Sequence, residues 1–79
     1  MALYFFHLRN GTDLLLDFDG REVDGIAAVQ AAALKDARSI ISDDVSNGRI
    51  RLEYRIDVQD AAGALVHKIA FEDAVTITR

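Results

Sequence analysis

Two histidines are the side chains of this 79-residue chain best suited to acid–base or metal chemistry. His7 and His67 both fall in phase with apolar residues, on predicted strands that could be neighbours. Two imidazoles held close together can act as a base or bind a metal ion. No motif of fixed spacing accompanies them. A small enzyme or metal-binding protein using His7 and His67 is therefore a minor alternative, and the main interpretation assigns no catalytic residue, cofactor or metal site.

An acidic stretch between residues 13 and 24 is the second place where chemistry could occur. Asp17-Phe18-Asp19-Gly20 puts carboxylates at alternating positions, as a calcium-binding loop does. Gly20 follows Asp17 too soon for such a loop, however, because the calcium loop needs its glycine further along. Aspartates that form turns and cap helices explain the same residues, so we predict no metal here.

A strip of basic residues is expected on the exposed face of the second hairpin: Arg49, Arg51, Arg55 and Lys68. Arginine on a sheet can hold a phosphate or a carboxylate. Acidic residues interrupt the strip, and nine basic against thirteen acidic residues give a net charge of −4. A nonspecific nucleic-acid surface would need the opposite balance. A nucleic-acid-associated or toxin-associated module using this strip is therefore the alternative rather than the main interpretation.

Nucleophilic catalysis finds little support in the sequence. The chain has no cysteine, which also excludes disulfides and thiolate zinc sites. Its helical serines are expected to be exposed or to act as caps, and no glycine-rich loop precedes the helix in a phosphate-binding pattern. A domain of this size also leaves little room for an ordinary pocket. We predict that the protein is not an enzyme.

Turn-forming residues divide the chain into hairpin, helix and hairpin. Leu3 to Arg9 is aromatic and apolar, which favours a strand. Asn10-Gly11 then signals a tight turn. Leu14 to Phe18 is predicted as the returning strand, and Asp19-Gly20 ends it.

The helix is predicted over Ile26 to Val45, a segment rich in alanine. Asp24 is the expected N-terminal cap, and Asn47-Gly48 is a natural left-handed stop. Apolar residues recur at helical spacing on one broad face: Ile26, Val29, Ala33, Leu34, Ala37, Ile40 and Ile41.

The second hairpin begins where apolar and charged residues alternate from Ile50 to Val58. This period of two predicts a strand with one buried face and one exposed face. Asp60 to Gly63 makes the turn, and Ala64 to Phe71 returns. Residues 72–79 are left unassigned. The predicted fold is thus α+β, with one antiparallel sheet and the long amphipathic helix across one face.

Composition favours a single cytoplasmic domain spanning residues 1–79. Hydrophobic residues make up 51% of the chain, enough for a core. No apolar run has the length of a membrane helix, and the N-terminus lacks the basic region of a signal peptide. The absence of cysteine fits a reducing compartment.

Several short segments resemble a family of small bacterial proteins of unknown function. They are the opening Tyr4-Phe5-Phe6-His7, the turn at Asn10-Gly11, Asp17 to Gly20, the alanine-rich helix and Phe71-Glu72-Asp73-Ala74. This resemblance covers nearly the whole chain and implies a stand-alone bacterial cytoplasmic domain, with no activity or site residue to transfer. The pattern is also similar to antitoxin domains of the HicB type, without their DNA-binding extension.

The main interpretation is a small homo-oligomeric interaction or regulatory module, its partner being a second copy, with an unidentified protein as the further alternative. Alternation places two apolar sets on opposite faces of the first hairpin. Leu3, Phe5 and His7 share one face with Leu14, Leu16 and Phe18. The other set is predicted to lie on the side that the helix leaves uncovered and to form the oligomer interface: Tyr4, Phe6, Leu8 and Leu15.

Overall fold

The structure is a computed structural model that describes residues 1–78. Within these residues an antiparallel sheet of five strands carries one long helix, in the order β1 (Ala2–Asn10), β2 (Asp13–Leu15), β3 (Arg21–Val23), α1 (Ile26–Ser46), β4 (Arg55–Asp60), β5 (Leu65–Ala70) and α2 (Phe71–Ala74). The sheet runs β2-β1-β4-β5, and β3 also pairs with β1. The α+β prediction, with one sheet and one long helix, is confirmed.

β1 is the longest strand, and two short strands share one of its edges. β2 pairs with its C-terminal half and β3 with its N-terminal half, while β4 occupies the other edge. The predicted return strand Leu14–Phe18 therefore stops at Leu15. The chain leaves the sheet at residues 16–20. There the Asp17 carboxylate, rather than a strand, accepts the hydrogen bond from the free backbone N–H of Phe6 on β1. β3 was not predicted, because its three residues are too few to show an alternation.

Strand register confirms the predicted faces of Leu14 and Leu15, while Leu16 and Phe18 lie beyond β2 and have no register. Leu14 lies opposite Arg9 and Leu15 opposite Leu8, so each belongs to the face expected for it. The assignment of faces to the helix is wrong, however. Phe6 is in the core beside α1, only 9% exposed, and Tyr4 and Leu8 pack against that core. Both faces are apolar, so their patterns alone could not show which one the helix covers.

The helix α1 buries four small or branched residues against the sheet: Val29, Ala33, Ala37 and Ile41. Two predictions about its start fail, and its end holds a buried carboxylate that was not predicted. Ile26 is about half exposed, Gly25 rather than Asp24 occupies the N-cap, and Asp44 is buried. Gly48 has a φ of 80° just after the helix, as the predicted left-handed stop requires.

The second hairpin starts later than predicted, since β4 begins at Arg55 and not at Ile50. The preceding segment is held at the end of α1, because Arg49 and Arg51 both contact Asp44. β4 and β5 then pair with a shift between Val58 and Gln59. The Asp60 carboxylate accepts hydrogen bonds from the N–H groups of Ala62 and Ala64 and so closes the predicted turn.

The returning strand ends at Ala70 and not at Phe71, because Phe71 begins the short helix α2, whose other residues lie in the unassigned segment. Phe71 and Ala74 are both fully buried in the core. The Phe71 N–H donates to the carbonyl oxygen of Tyr54 at 2.9 Å, and Arg38 Nε donates to that of Ala74 at 2.8 Å. These contacts attach the end of β5 to the helix side of the sheet. Arg79 lies outside the described residues.

Candidate functional site

His7 lies on the face of the sheet opposite α1, under the loop of residues 16–20. Its Nδ1 accepts a hydrogen bond from the backbone N–H of Asp17 at 3.0 Å. Nδ1 therefore carries no proton, and in this tautomer Nε2–H donates to Gln59 Oε1, 3.1 Å away. The side chain is 8% exposed. With both ring nitrogens occupied, His7 fixes the loop to the sheet.

The hypothesis of a histidine pair is wrong in its geometry. His67 lies directly opposite Val58, a fully buried residue of the helix side, whereas His7 lies opposite Asp57. Successive residues of β4 point to opposite faces, so the two imidazoles do as well. β4 also separates β1 from β5. The two histidines cannot share a base or a metal ion.

Asp17 lies in the acidic stretch for which the sequence predicts no metal. Its carboxylate accepts from the backbone N–H groups of Phe6, Asp19 and Gly20 at 3.0–3.2 Å. Burial works against the charged form, but these donors together hold the pKa of Asp17 below its ordinary value of 3.8. Its oxygens bind the backbone. Among residues 1–78 no group of three or more His, Cys, Asp or Glu side chains has metal-binding geometry.

The predicted basic strip is divided into two separate clusters. At the end of α1, Arg51 donates to both carboxylate oxygens of Asp44 at 2.7 and 3.0 Å, and Arg49 lies 3.5 Å away. The hydrogen bonds from Arg51 hold the pKa of Asp44 below its ordinary value of 3.8, and the same pairing raises the pKa of Arg51. This buried carboxylate, which the sequence analysis missed, anchors the segment before β4.

The second cluster lies on the uncovered face of the sheet. Asp57 is 8% exposed and contacts two arginines: Arg9 Nε at 3.3 Å and Arg55 Nε at 3.1 Å. Lys68 lies opposite Asp57 on β5. Arg9 was not part of the predicted strip, because only the pairing of β1 with β4 brings it to Arg55.

The most unusual surface is an exposed apolar segment, Leu14–Phe18, which we name the apolar edge. Four of its five residues are large and apolar, and all four are exposed, Leu15 by 69% and Phe18 by 82%. Leu14 and Leu16 line the cleft on the uncovered face of the sheet and also border the cavities on the helix side, whereas Leu15 lines the helix-side cavities alone. The run Leu14-Leu15-Leu16 could have indicated this exposed surface from the sequence. Successive strand residues point to opposite faces, so a strand with one buried face cannot bury all three leucines.

A groove runs beside the apolar edge, between β2 and α1. It consists of two adjoining cavities of about 430 and 320 Å³ that share Leu8, Leu15 and Ile40. Phe6 also lines it. The residues predicted as an interface are thus partly brought together, but within this groove and not on an uncovered sheet face. Tyr4 does not line either cavity.

Within the described part of the chain, no helix combines the length and the apolar character needed to cross a membrane. A search of curated proteins and a search of solved structures found no significant match. Residues 3–72 match the family model of a domain of unknown function, DUF6894. The resemblance to a small family of unknown function is thereby confirmed, and the chain belongs to the DUF6894 family.

Proposed function

We propose that this protein is a non-catalytic, cytoplasmic interaction module that associates with a second copy of itself through the apolar edge. The observation that carries the proposal is the exposure of Leu14, Leu15, Leu16 and Phe18 in one short segment. Soluble proteins seldom leave such a contiguous apolar surface in water, and it usually marks a partner site. The segment begins on β2, the outermost strand of the sheet, and this position strengthens the interpretation. Exposed apolar strands at a sheet edge tend to associate with another chain.

A second copy is the partner that fits this surface, because the protein presents both a projecting aromatic side chain and a groove that can receive it. Phe18 projects into solvent, and the groove lined by Leu8, Leu15 and Ile40 lies next to it. Two copies related by a twofold axis can each insert Phe18 into the groove of the other. Aromatic side chains are frequent anchors of such contacts. The exchange would also enlarge a core that is thin in a chain of this size.

The non-catalytic part of the proposal is supported by how the polar side chains are used. Both nitrogens of His7 have partners, and the carboxylate of Asp17 accepts three backbone hydrogen bonds. Asp44 and Asp57 are each held by two arginines. A general base or nucleophile needs a free atom aimed at substrate. These groups instead hold loops and strands in place.

Sedimentation equilibrium of matched variants tests the proposal. Phe18→Ser and Leu15→Ser remove apolar area from the apolar edge and should weaken dimerisation at least about tenfold, the equivalent of roughly 1.4 kcal/mol. Ile50→Ser is the control, since Ile50 is similarly exposed but lies away from the groove. The Ile50→Ser variant should dimerise as the wild-type protein does. Equal effects of all three substitutions, or a wild-type protein that stays monomeric at tens of micromolar, would refute the proposal.

A further inference from the structure

We propose that Arg9 and Arg55 form an oxyanion site on the uncovered face of the sheet, and that its ligand is an aliphatic carboxylate. The site lies on the other face of the sheet from the groove, with Leu14 and Leu16 of the apolar edge bordering both, and it is inferred without reference to self-association. It is built by β1 and β4, whose pairing places the two arginines directly opposite each other.

The hydrogen bonding of the two arginines leaves most of their donors available. Each guanidinium approaches Asp57 through Nε alone, Arg9 at Oδ2 and Arg55 at Oδ1. Within residues 1–78 the Nη atoms of neither arginine donate a hydrogen bond to the protein. The carboxylate thus orients both groups from one side. Their remaining N–H groups match the planar, two-pronged geometry with which arginine binds carboxylates.

The local charge also favours an anion. Like charges directly opposite each other in a sheet destabilise it, and Arg9 and Arg55 are such a pair. Lys68 adds a third cation opposite Asp57. Three positive side chains against one carboxylate leave two positive charges unbalanced, in a chain whose net charge is −4. A bound carboxylate would offset part of this excess.

The surroundings of the arginines indicate that the rest of the ligand is apolar. They lie in a cleft of about 330 Å³ whose wall includes Leu14, Leu16 and Leu65. The polar residues at its base, His7 and Gln59, are hydrogen-bonded to each other. A ligand therefore finds charged donors at one end and leucine side chains beside them. A free aliphatic acid has this chemistry, and so has the C-terminal carboxylate of a peptide that ends in apolar residues.

Nuclear magnetic resonance titration of the ¹⁵N-labelled full chain tests the proposal. Octanoate and a dileucine peptide with a free C-terminus are the two probes, and the tighter of them identifies the source of the carboxylate. Either should give saturable shifts at the Nε–Hε groups of Arg9 and Arg55 and at the amides of Leu14 and Leu65. Octanamide, which lacks the charge, and inorganic phosphate, which lacks the carbon chain, should both bind more weakly.

Substitutions then assign the binding to the arginines. Arg9→Gln and Arg55→Gln should each raise the dissociation constant about tenfold or more, as expected when a charge-assisted hydrogen bond is lost. Lys35→Gln, which removes an exposed charge of α1, should leave it unchanged. If a glutamine variant fails to fold, as a poorly dispersed spectrum would show, Arg55→Lys replaces it. Lysine keeps the positive charge but lacks the planar, two-pronged donor group of arginine. The absence of saturable shifts with both probes, or wild-type affinity in the arginine variants, would overturn the proposal.

Discussion

The Asp17 carboxylate accepts a hydrogen bond from the backbone N–H of Phe6 at 3.1 Å, at the middle of the β1 edge. β2 pairs with β1 only as far as Leu8, and β3 pairs only as far as Tyr4. Between them the edge has no strand partner. Asp17 supplies the missing acceptor, so one side chain bridges the gap and lets the apolar edge turn outward from the sheet.

Replacement of Asp17 by alanine should therefore destabilise the fold. The partly buried N–H groups of Phe6 and Gly20 lose their acceptor, whereas the exposed N–H of Asp19 can bind water instead. Leaving partly buried N–H groups unsatisfied costs at least about 1–3 kcal/mol. We expect Asp17→Ala to lower the free energy of unfolding by about that amount in a urea melt. Asp19→Ala is the control, because the Asp19 side chain is exposed and such substitutions usually stay within about 0.5 kcal/mol. Equal stability of the two variants would contradict the role of Asp17.

Acid should destabilise the protein through two carboxylates. Asp17 and Asp44 both have a lowered pKa in the folded protein, and in the unfolded chain each returns to its ordinary value of 3.8. Their contribution to stability is therefore complete above that value and is lost as the pH falls through the lower folded-state pKa. Urea melts between about pH 6 and pH 2 should show this loss. A double variant, Asp17→Asn with Asp44→Asn, should show a flatter pH dependence, and an unchanged slope would count against this assignment.

Gly20 is expected to tolerate no side chain. Its φ is 69°, and a Cβ would lie 3.0 Å from both the Phe5 ring and the Tyr4 carbonyl oxygen. Gly11 has a similar φ of 56° with open space around it, which makes Gly11→Ala a matched control for backbone strain alone. That control should lose about 1–2 kcal/mol. Gly20→Ala should lose clearly more, because the clash adds to the strain. Equal losses in thermal or urea melts would show that the loop relaxes freely.

The tautomer of His7 provides a test of its structural role. Since Nδ1 accepts from Asp17 N–H, the neutral ring should carry its proton on Nε2. Long-range ¹H–¹⁵N correlation spectra distinguish the two nitrogens directly. Gln59→Leu removes the acceptor of Nε2–H and should leave the contact with Asp17 in place. A proton on Nδ1 in the wild-type protein would mean that the loop is not held as described.

Much of the fold follows from local patterns in the sequence. The alanine-rich periodicity predicted α1, and Gly48 marked its end because it alone can adopt the left-handed conformation there without strain. Strict alternation placed Leu14 and Leu15 on their correct faces. In each case the information lies within a few neighbouring residues.

The remaining features depend on contacts between residues far apart in the chain. Arg51 binds Asp44 and so removes its own segment from the predicted strand. Arg9 meets Arg55 only through the pairing of β1 with β4. The burial of Phe6 depends on which of two apolar faces receives the helix. Hydrophobic periodicity along the sequence carries no information about these long-range contacts. The candidate sites were therefore less predictable than the strands and the helix that hold them.

The central claim is that Phe18 of one copy enters the groove of the other. Isotope-filtered nuclear Overhauser spectroscopy on a mixture of labelled and unlabelled protein measures such contacts between copies directly. We expect cross-peaks from the Phe18 ring to the methyl groups of Leu8, Leu15 and Ile40, which line the groove. Intermolecular cross-peaks confined to other surfaces, or none from Phe18 in a dimeric sample, would contradict it.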